Sequence, residues 1–163
     1  VRAVIFTVRM EGPGALSTMA RPRGGEWLTD EMSALRDAGV DVLVSMLSRQ
    51  EMDKLGLAGE ASAARTAGIT FLSLSTPDRG LPRTHAFKGL VDEVVAAMDA
   101  GNHVVVHCRM GIGRSSMVAA AALMARGTSA PDAWEAIASA RGLAVPDTQQ
   151  QRQWVELIMR PAE

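Results

Sequence analysis

The 163-residue chain has a single cysteine and no tyrosine, and its 17 basic side chains nearly balance 18 acidic ones. One thiol closes no internal disulfide, which excludes a disulfide-stapled secreted scaffold. A structural zinc centre built on several thiolates is excluded with it. A formal net charge of −1 provides no electrostatic footprint for nucleic acid or an anionic membrane. Long apolar runs are missing too. The longest, Met117–Ala125, is about half of the roughly 20 residues that a spanning helix requires. The short stretch Val4–Val8 lies between Arg2 and Arg9 with no small-residue cleavage site after it. The expectation is a soluble, cytoplasmic protein with no nucleic-acid or membrane partner.

The length suits one compact domain, enough to bury roughly two thirds of its unfolded surface. No repeat, low-complexity tract or linker divides residues 1–163. Apolar periodicity alternates between short β-rich runs and longer helical stretches. Strands are expected at Ala3–Val8, Leu16–Ala20, Val42–Leu47, Ile69–Leu74 and His103–His107. Helices are expected from a Thr29 cap to Gly39, over Glu60–Ala67, Thr84–Ala100, Ser115–Arg126, Pro131–Arg141 and Thr148–Arg160. Strands alternating with helices between residues 40 and 107 predict an α/β domain: a central, mostly parallel sheet flanked by helices. Ligands of such sheets bind at the carboxyl ends of the strands.

At that location the sequence reads His107-Cys108-Arg109-Met110-Gly111-Ile112-Gly113-Arg114-Ser115. A buried strand stops, a loop with two glycines follows, and a helix begins near Ser115. Glycines at 111 and 113 allow the backbone of residues 109–114 to curl into an anion nest. The helix N-terminus behind it adds partial positive charge, and Arg114 offers a planar fork matched to phosphate oxygens. Cys108 sits at the base of the nest, in surroundings that favour thiolate over thiol. Nucleophile and oxyanion cradle share one centre, the geometry of phosphoryl transfer to sulfur. Alone, the cysteine also fits a small core residue, and the glycines an ordinary turn.

The pattern Cys-x5-Arg, with His before it and Ser after, resembles the cysteine-dependent protein phosphatases, and most of all their small dual-specificity branch. The resemblance implies that Cys108 attacks phosphorus to form a phosphocysteine and that Arg114 binds the phosphoryl oxygens. Arg109, Met110, Gly111, Ile112 and Gly113 would complete the phosphate loop. Ser115 would stabilise the departing thiolate, and His107 would orient the loop and support thiolate formation. No metal or other cofactor is required. The resemblance also implies an aspartate acid some 30 residues before the cysteine. Pro77-Asp78-Arg79-Gly80 lies in that place, so Asp78 would protonate the leaving oxygen and then activate water. Nearby negative charge should favour its protonated form. A turn-forming aspartate between prolines is the plain alternative. Asp92 and Asp99 fall inside a helix on its polar side. Thr148-Gln149-Gln150-Gln151-Arg152-Gln153-Trp154 is similar to the family's Thr-x-x-Gln-x-x-aromatic stretch. Gln151 would then position water, with Asp147 only a helix cap; a polar helix face before a core tryptophan is the alternative.

The implied substrate is a phosphorylated protein or a small phosphoester. The loop interior holds Met110 and Ile112 where charged-lipid phosphatases tend to place lysines. With no tyrosine to wall a deep phosphotyrosine slot, a shallower, less selective pocket is expected. Arg79 and Arg83 are candidates to touch substrate anions, and Arg21 and Arg23 in a glycine-rich loop to rim the pocket, but solvated loop charges are the expectation for all four. His85 and His103 fit a helix start and a strand end. Two rival functions use the same loop: a non-catalytic phosphate-binding module, and a rhodanese-like sulfurtransferase that needs neither Asp78 nor Ser115.

Overall fold

The computed structural model describes residues 2–161. Five strands, β1 (Phe6–Thr7), β2 (Ala15–Ala20), β3 (Val42–Ser45), β4 (Thr70–Ser73) and β5 (His103–Cys108), form one sheet in the order β1-β2-β5-β3-β4. Only β1 is antiparallel. The carboxyl ends of the other four therefore share one edge, and β5 reaches it between β2 and β3. In register, Ala20 faces Cys108 and Ser45 faces His107.

Seven helices cover the sheet: α1 (Leu28–Asp37), α2 (Arg49–Lys54), α3 (Glu60–Thr66), α4 (Thr84–Asp99), α5 (Arg114–Ala125), α6 (Ala130–Arg141) and α7 (Gln149–Ile158). Alternate strand residues point to opposite faces, and two apolar layers follow. Val42, Val44, Val104, Val106 and Cys108 pack with α4, α5, α6 and α7, whereas Leu43 and Val105 pack with Met32 and Leu35 of α1 and Ala64 of α3. Helix α5 is enclosed on every side, since Arg114 through Leu123 are all buried. Its Ala119–Ala122 run permits close approach to its neighbours. Phe87 of α4 meets Trp154 of α7 edge-on at 5.0 Å between ring centroids.

The expected α/β architecture is observed, with several local corrections. Pairing near the N-terminus covers only Phe6–Thr7 of the expected strand Ala3–Val8. Thr29 is not a cap. A 3-10 turn at Gly25–Trp27 runs straight into α1, and its own carbonyl accepts the Leu28 amide, so no side-chain cap is used. Asp147 does not cap α7 either. Thr148 does, its hydroxyl accepting from the Gln151 amide while the Gln151 side chain accepts from the Thr148 amide. Helix α2 is an addition to the expected elements. It opens with a capping box between Ser48 and Glu51, and is so short that no apolar period reveals it.

His103 has a more specific place than a strand end. Its Nε2 lies 2.7 Å from Ser17 Oγ, which lies 2.9 Å from Thr7 Oγ1, and its amide donates to Asp41 at 2.8 Å. This chain ties β1, β2 and β5 together at the edge opposite the phosphate loop. Burial pushes the His103 imidazole toward its neutral form, against the pull of Asp41.

Candidate active site

The loop that leaves β5 returns through Gly113 into α5. Gly111 has φ of 72°, and a Cβ there would stand 2.7 Å from the Met19 carbonyl carbon and 2.9 Å from the Ala20 amide nitrogen. Both close approach and backbone conformation demand glycine. At Gly113 a Cβ would collide with the carboxylate of Asp147.

The loop's carbonyls are committed outward. Arg109 C=O accepts from the Arg21 amide at 3.2 Å, and Gly113 C=O accepts from the Met117 amide at 3.1 Å. Arg141 donates to Met110 C=O at 3.1 Å and to Gly111 C=O at 3.2 Å while its guanidinium lies 4.4 Å from the Phe6 ring centroid. The amides of residues 110–113 donate to no protein acceptor among the described residues. A loop with its acceptors turned out and its donors unspent is suited to an anion.

Cys108 is buried, and its Sγ donates to Ser115 Oγ at 3.3 Å. The neighbouring His107 points to the other face of the sheet. There its Nε2 bonds the carboxylate of Glu60, both side chains being fully buried, and its Nδ1 lies 3.3 Å from the Cys108 carbonyl. Glu60 thus sets the orientation of the histidine that holds the nucleophile's own backbone.

Arg114 is buried at the first position of α5, its guanidinium surrounded by acceptors. It forms a bidentate pair with Glu51 and donates to the Thr76 carbonyl at 2.8 Å and the Met46 carbonyl at 3.4 Å. Nη2 also lies 3.3 Å from Asp78 Oδ1. The Arg114 hydrogen bond holds the Glu51 carboxyl well below the usual range, at about 2, with burial opposing and the Ser48 amide assisting.

Asp78 is half-exposed on the loop after β4. Gln151 is fully buried and donates from Nε2 to Gly80 C=O at 3.2 Å, joining α7 to that loop. Cys108 and Ser115 pair with each other, Arg114 with Glu51 and Asp78, and Gln151 with the loop that carries Asp78, whereas His107 lies on the opposite face against Glu60. Arg109 and Met110 are exposed at the loop tip, and Ile112 is partly buried. Asp92 and Asp99 stay on the outer face of α4, Asp99 against Arg126 at 3.6 Å. Arg79 and Arg83 are exposed. Among the described residues no group of His, Cys, Asp and Glu is arranged to hold a metal ion, and no helix is long and apolar enough to cross a membrane.

Reading motifs missed Glu51, Glu60 and Arg141. For Glu51 a signal existed in Ser48-x-x-Glu51. Glu60 and Arg141 act through tertiary contacts that no local spacing announces.

Residues 17–128 match the family described as polymorphic toxin system, DSP-PTPase phosphatase. No curated protein matches the chain in sequence. Among solved structures, kinase associated phosphatase, with its catalytic-site cysteine changed to serine, superposes with a TM-score of 0.86 at 19% identity, over 96% of this chain and 94% of that one. PTPMT1 superposes with a TM-score of 0.75 at 25% identity, over 94% of each chain. PTPMT1 in complex with PI(5)P gives 0.73 at 23%, over 95% of each. Tk-PTP in its active form also gives 0.73, at 22% identity, over 96% of this chain and 98% of that one.

Proposed function

The chain belongs to the DSP-PTPase phosphatase family and is a cysteine-dependent phosphatase; from there we propose that it hydrolyses phosphomonoesters of phosphorylated proteins through a phosphocysteine on Cys108. The observation that supports this reading is a pair of contacts on consecutive residues, Cys108 Sγ on Ser115 Oγ and Arg114 on Asp78, with Cys108 close enough to act electrostatically on Arg114.

In the first step the Cys108 sulfur forms a bond to phosphorus and the bond to the leaving oxygen breaks. Protonated Asp78 gives its proton to that oxygen. Arg114 and the amides of residues 109–114 take up the charge on the equatorial oxygens, a task that needs no metal. In the second step water attacks phosphorus, Asp78 accepts its proton, and sulfur leaves as thiolate. The Ser115 hydroxyl then turns to donate to that thiolate. Gln151 contributes by fixing Gly80, and with it the position of Asp78 and of the water Asp78 activates.

Phosphotyrosine is the first substrate to expect, with phosphoserine and phosphothreonine beside it. The large aromatics Phe87, Trp134 and Trp154 are engaged in the α4–α7 core, which supports a pocket without a deep aromatic wall. The phosphoinositide bound by PTPMT1 names the main rival substrate, disfavoured by Met110 and Ile112 in the loop interior.

Purified protein should release phosphate from an aryl phosphate in the presence of EDTA, and Cys108→Ser should abolish turnover. Full activity in that variant would sink the mechanism. Cyanide-dependent thiocyanate formation without phosphate release would indicate a sulfurtransferase, and phosphate binding without turnover a binding module.

A further inference from the structure

Asp147 is exposed in the connection between α6 and α7, and its carboxylate lies against the phosphate loop. A Cβ on Gly113 would stand 2.8 Å from Asp147 Cγ and closer still to Oδ2, so only glycine at 113 admits the carboxylate to this point. Gly113 is also the N-cap of α5, where a carboxylate that served the helix end would accept from its first amides. Asp147 accepts none of them, and it has no hydrogen-bond or cationic partner among the described residues. A carboxylate beside an anion-binding loop opposes phosphate binding, the reverse of what a ligand-holding residue does.

The position is fixed from behind. Thr148 follows directly and caps α7, exchanging hydrogen bonds with Gln151, and Gln151 Nε2 holds Gly80, two residues beyond Asp78. One glutamine therefore ties the segment carrying Asp147 to the loop carrying Asp78. That glutamine cannot itself meet water at the phosphate loop. It is fully buried, and its Oε1 is taken by the Thr148 amide. Attack on a phosphocysteine directs a lone pair of water at phosphorus and leaves two hydrogens to be accepted. Asp78 receives the one that departs as a proton. The other needs a fixed acceptor beside the loop, and Asp147 is the unengaged carboxylate that the fold brings there.

We propose that Asp147 orients the water that hydrolyses the phosphocysteine, accepting a hydrogen bond from the hydrogen that stays on the water oxygen. In that step the water oxygen bonds to phosphorus and the phosphorus–sulfur bond breaks. Its electron pair leaves with the Cys108 sulfur, one proton passes to Asp78, and the phosphate carries the second hydrogen away. The assignment rests on the phosphatase reading above and deepens it.

Asp147→Ala should leave the first step intact and slow the second. With an aryl phosphate, rapid mixing should show a burst of about one phenol per active site. The turnover that follows should be about ten- to a hundredfold slower than in the parent protein, the worth of one hydrogen bond to a charged group. That slow rate should be the same for aryl esters with good and poor leaving groups, and acid-quenched samples should contain phosphorylated Cys108. Asp147→Asn keeps an oxygen in place and should recover most of the loss. Vanadate should bind both variants as tightly as the parent or more so, which reports a folded loop. An unchanged kcat in Asp147→Ala overturns the proposal. So does a loss that varies with the leaving group, which places the defect in the first step, and so does weakened vanadate binding, which makes Asp147 a support of the loop. A parent protein without aryl phosphate turnover overturns the phosphatase reading and this one together, whereas an active parent beside an unaffected variant overturns this one alone.

Discussion

Asp78 places a carboxylate oxygen 3.3 Å from Nη2 of Arg114, the nitrogen that also donates to Glu51 at 2.9 Å. One guanidinium thus serves two carboxylates of different standing. Glu51 is buried, bidentate and oriented by its own helix cap; Asp78 is half-exposed and holds one nitrogen only. A phosphoryl group entering the loop brings a further anion to Arg114, and the more weakly held carboxylate is the one that must yield. The contact therefore positions Asp78 beside the phosphoryl group that Arg114 would hold.

Asp78→Ala should therefore separate binding from chemistry. Loss of a general acid costs about 10²–10⁴ in rate, and kcat should fall by roughly that factor, more for alkyl than for aryl esters, whose leaving groups need less help. Vanadate inhibition should stay as tight or tighten, because a competitor for Nη2 has gone. A tenfold weaker vanadate constant would show Asp78 to be part of the anion cradle. Steady-state kinetics with paired aryl and alkyl phosphates decides both points.

Glu51→Gln should be costly to the fold. It leaves Arg114 buried with only carbonyls and Asp78, and breaking a buried pair from one side costs about 3–5 kcal/mol. The acid response carries the same signature. The Glu51 carboxyl is held at about 2 in the folded protein against an ordinary 4.5. Its contribution is complete above pH 4.5 and is lost as pH falls toward 2. Denaturant titrations between about pH 5 and pH 2 should show that slope in the parent protein and a flatter one in the variant.

Arg141→Lys keeps the charge but cannot bridge both carbonyls and lie flat on Phe6. The loop should relax, raising KM and weakening vanadate binding by about tenfold while thermal stability changes little, since surface-side substitutions away from core features stay near 0.5 kcal/mol. A fall in kcat alone, with vanadate unaffected, would count against a clamp on the phosphate loop.

Glu60→Ala strands a buried imidazole and should cost about 2–4 kcal/mol in denaturant melts. Glu60→Gln preserves volume and a hydrogen-bonding atom at Nε2. It should lose less stability than Glu60→Ala yet lower kcat for an aryl phosphate, because it alters the bond that orients the histidine behind the Cys108 carbonyl. An unchanged kcat in a folded variant would show that Glu60 has no part in positioning the nucleophile.

Chemistry that is local in the chain is legible in the residue order itself. The run His107–Ser115 carries strand, glycine turns, arginine and helix start in nine consecutive positions, and periodicity reveals β3, β4, β5 and the helices α4 to α7. What escapes is non-local or short. Glu60 reaches His107 across 47 residues, because alternation on β5 turns His107 away from Cys108 and toward α3. Arg141 reaches Gly111 from the end of α6 across 30 residues. Helix α2 is six residues long and amphipathic over too short a span to register. Thr29 shows the opposite failure, a good capping residue overruled because the preceding 3-10 turn runs into α1 and its Gly25 carbonyl already accepts the Leu28 amide.

Arg114 draws its acceptors from the ends of two separate strands, Met46 after β3 and Thr76 after β4, as well as from α2. A phosphate-like ligand can be recognised only by a chain in which all of these segments have docked. Ligand and fold are consequently linked by mass action: vanadate at about a hundred times its dissociation constant adds about 2.7 kcal/mol to stability. The melting temperature in rising oxyanion concentration thus becomes a titration of the site, and the fraction of chains that bind vanadate counts those that have folded correctly.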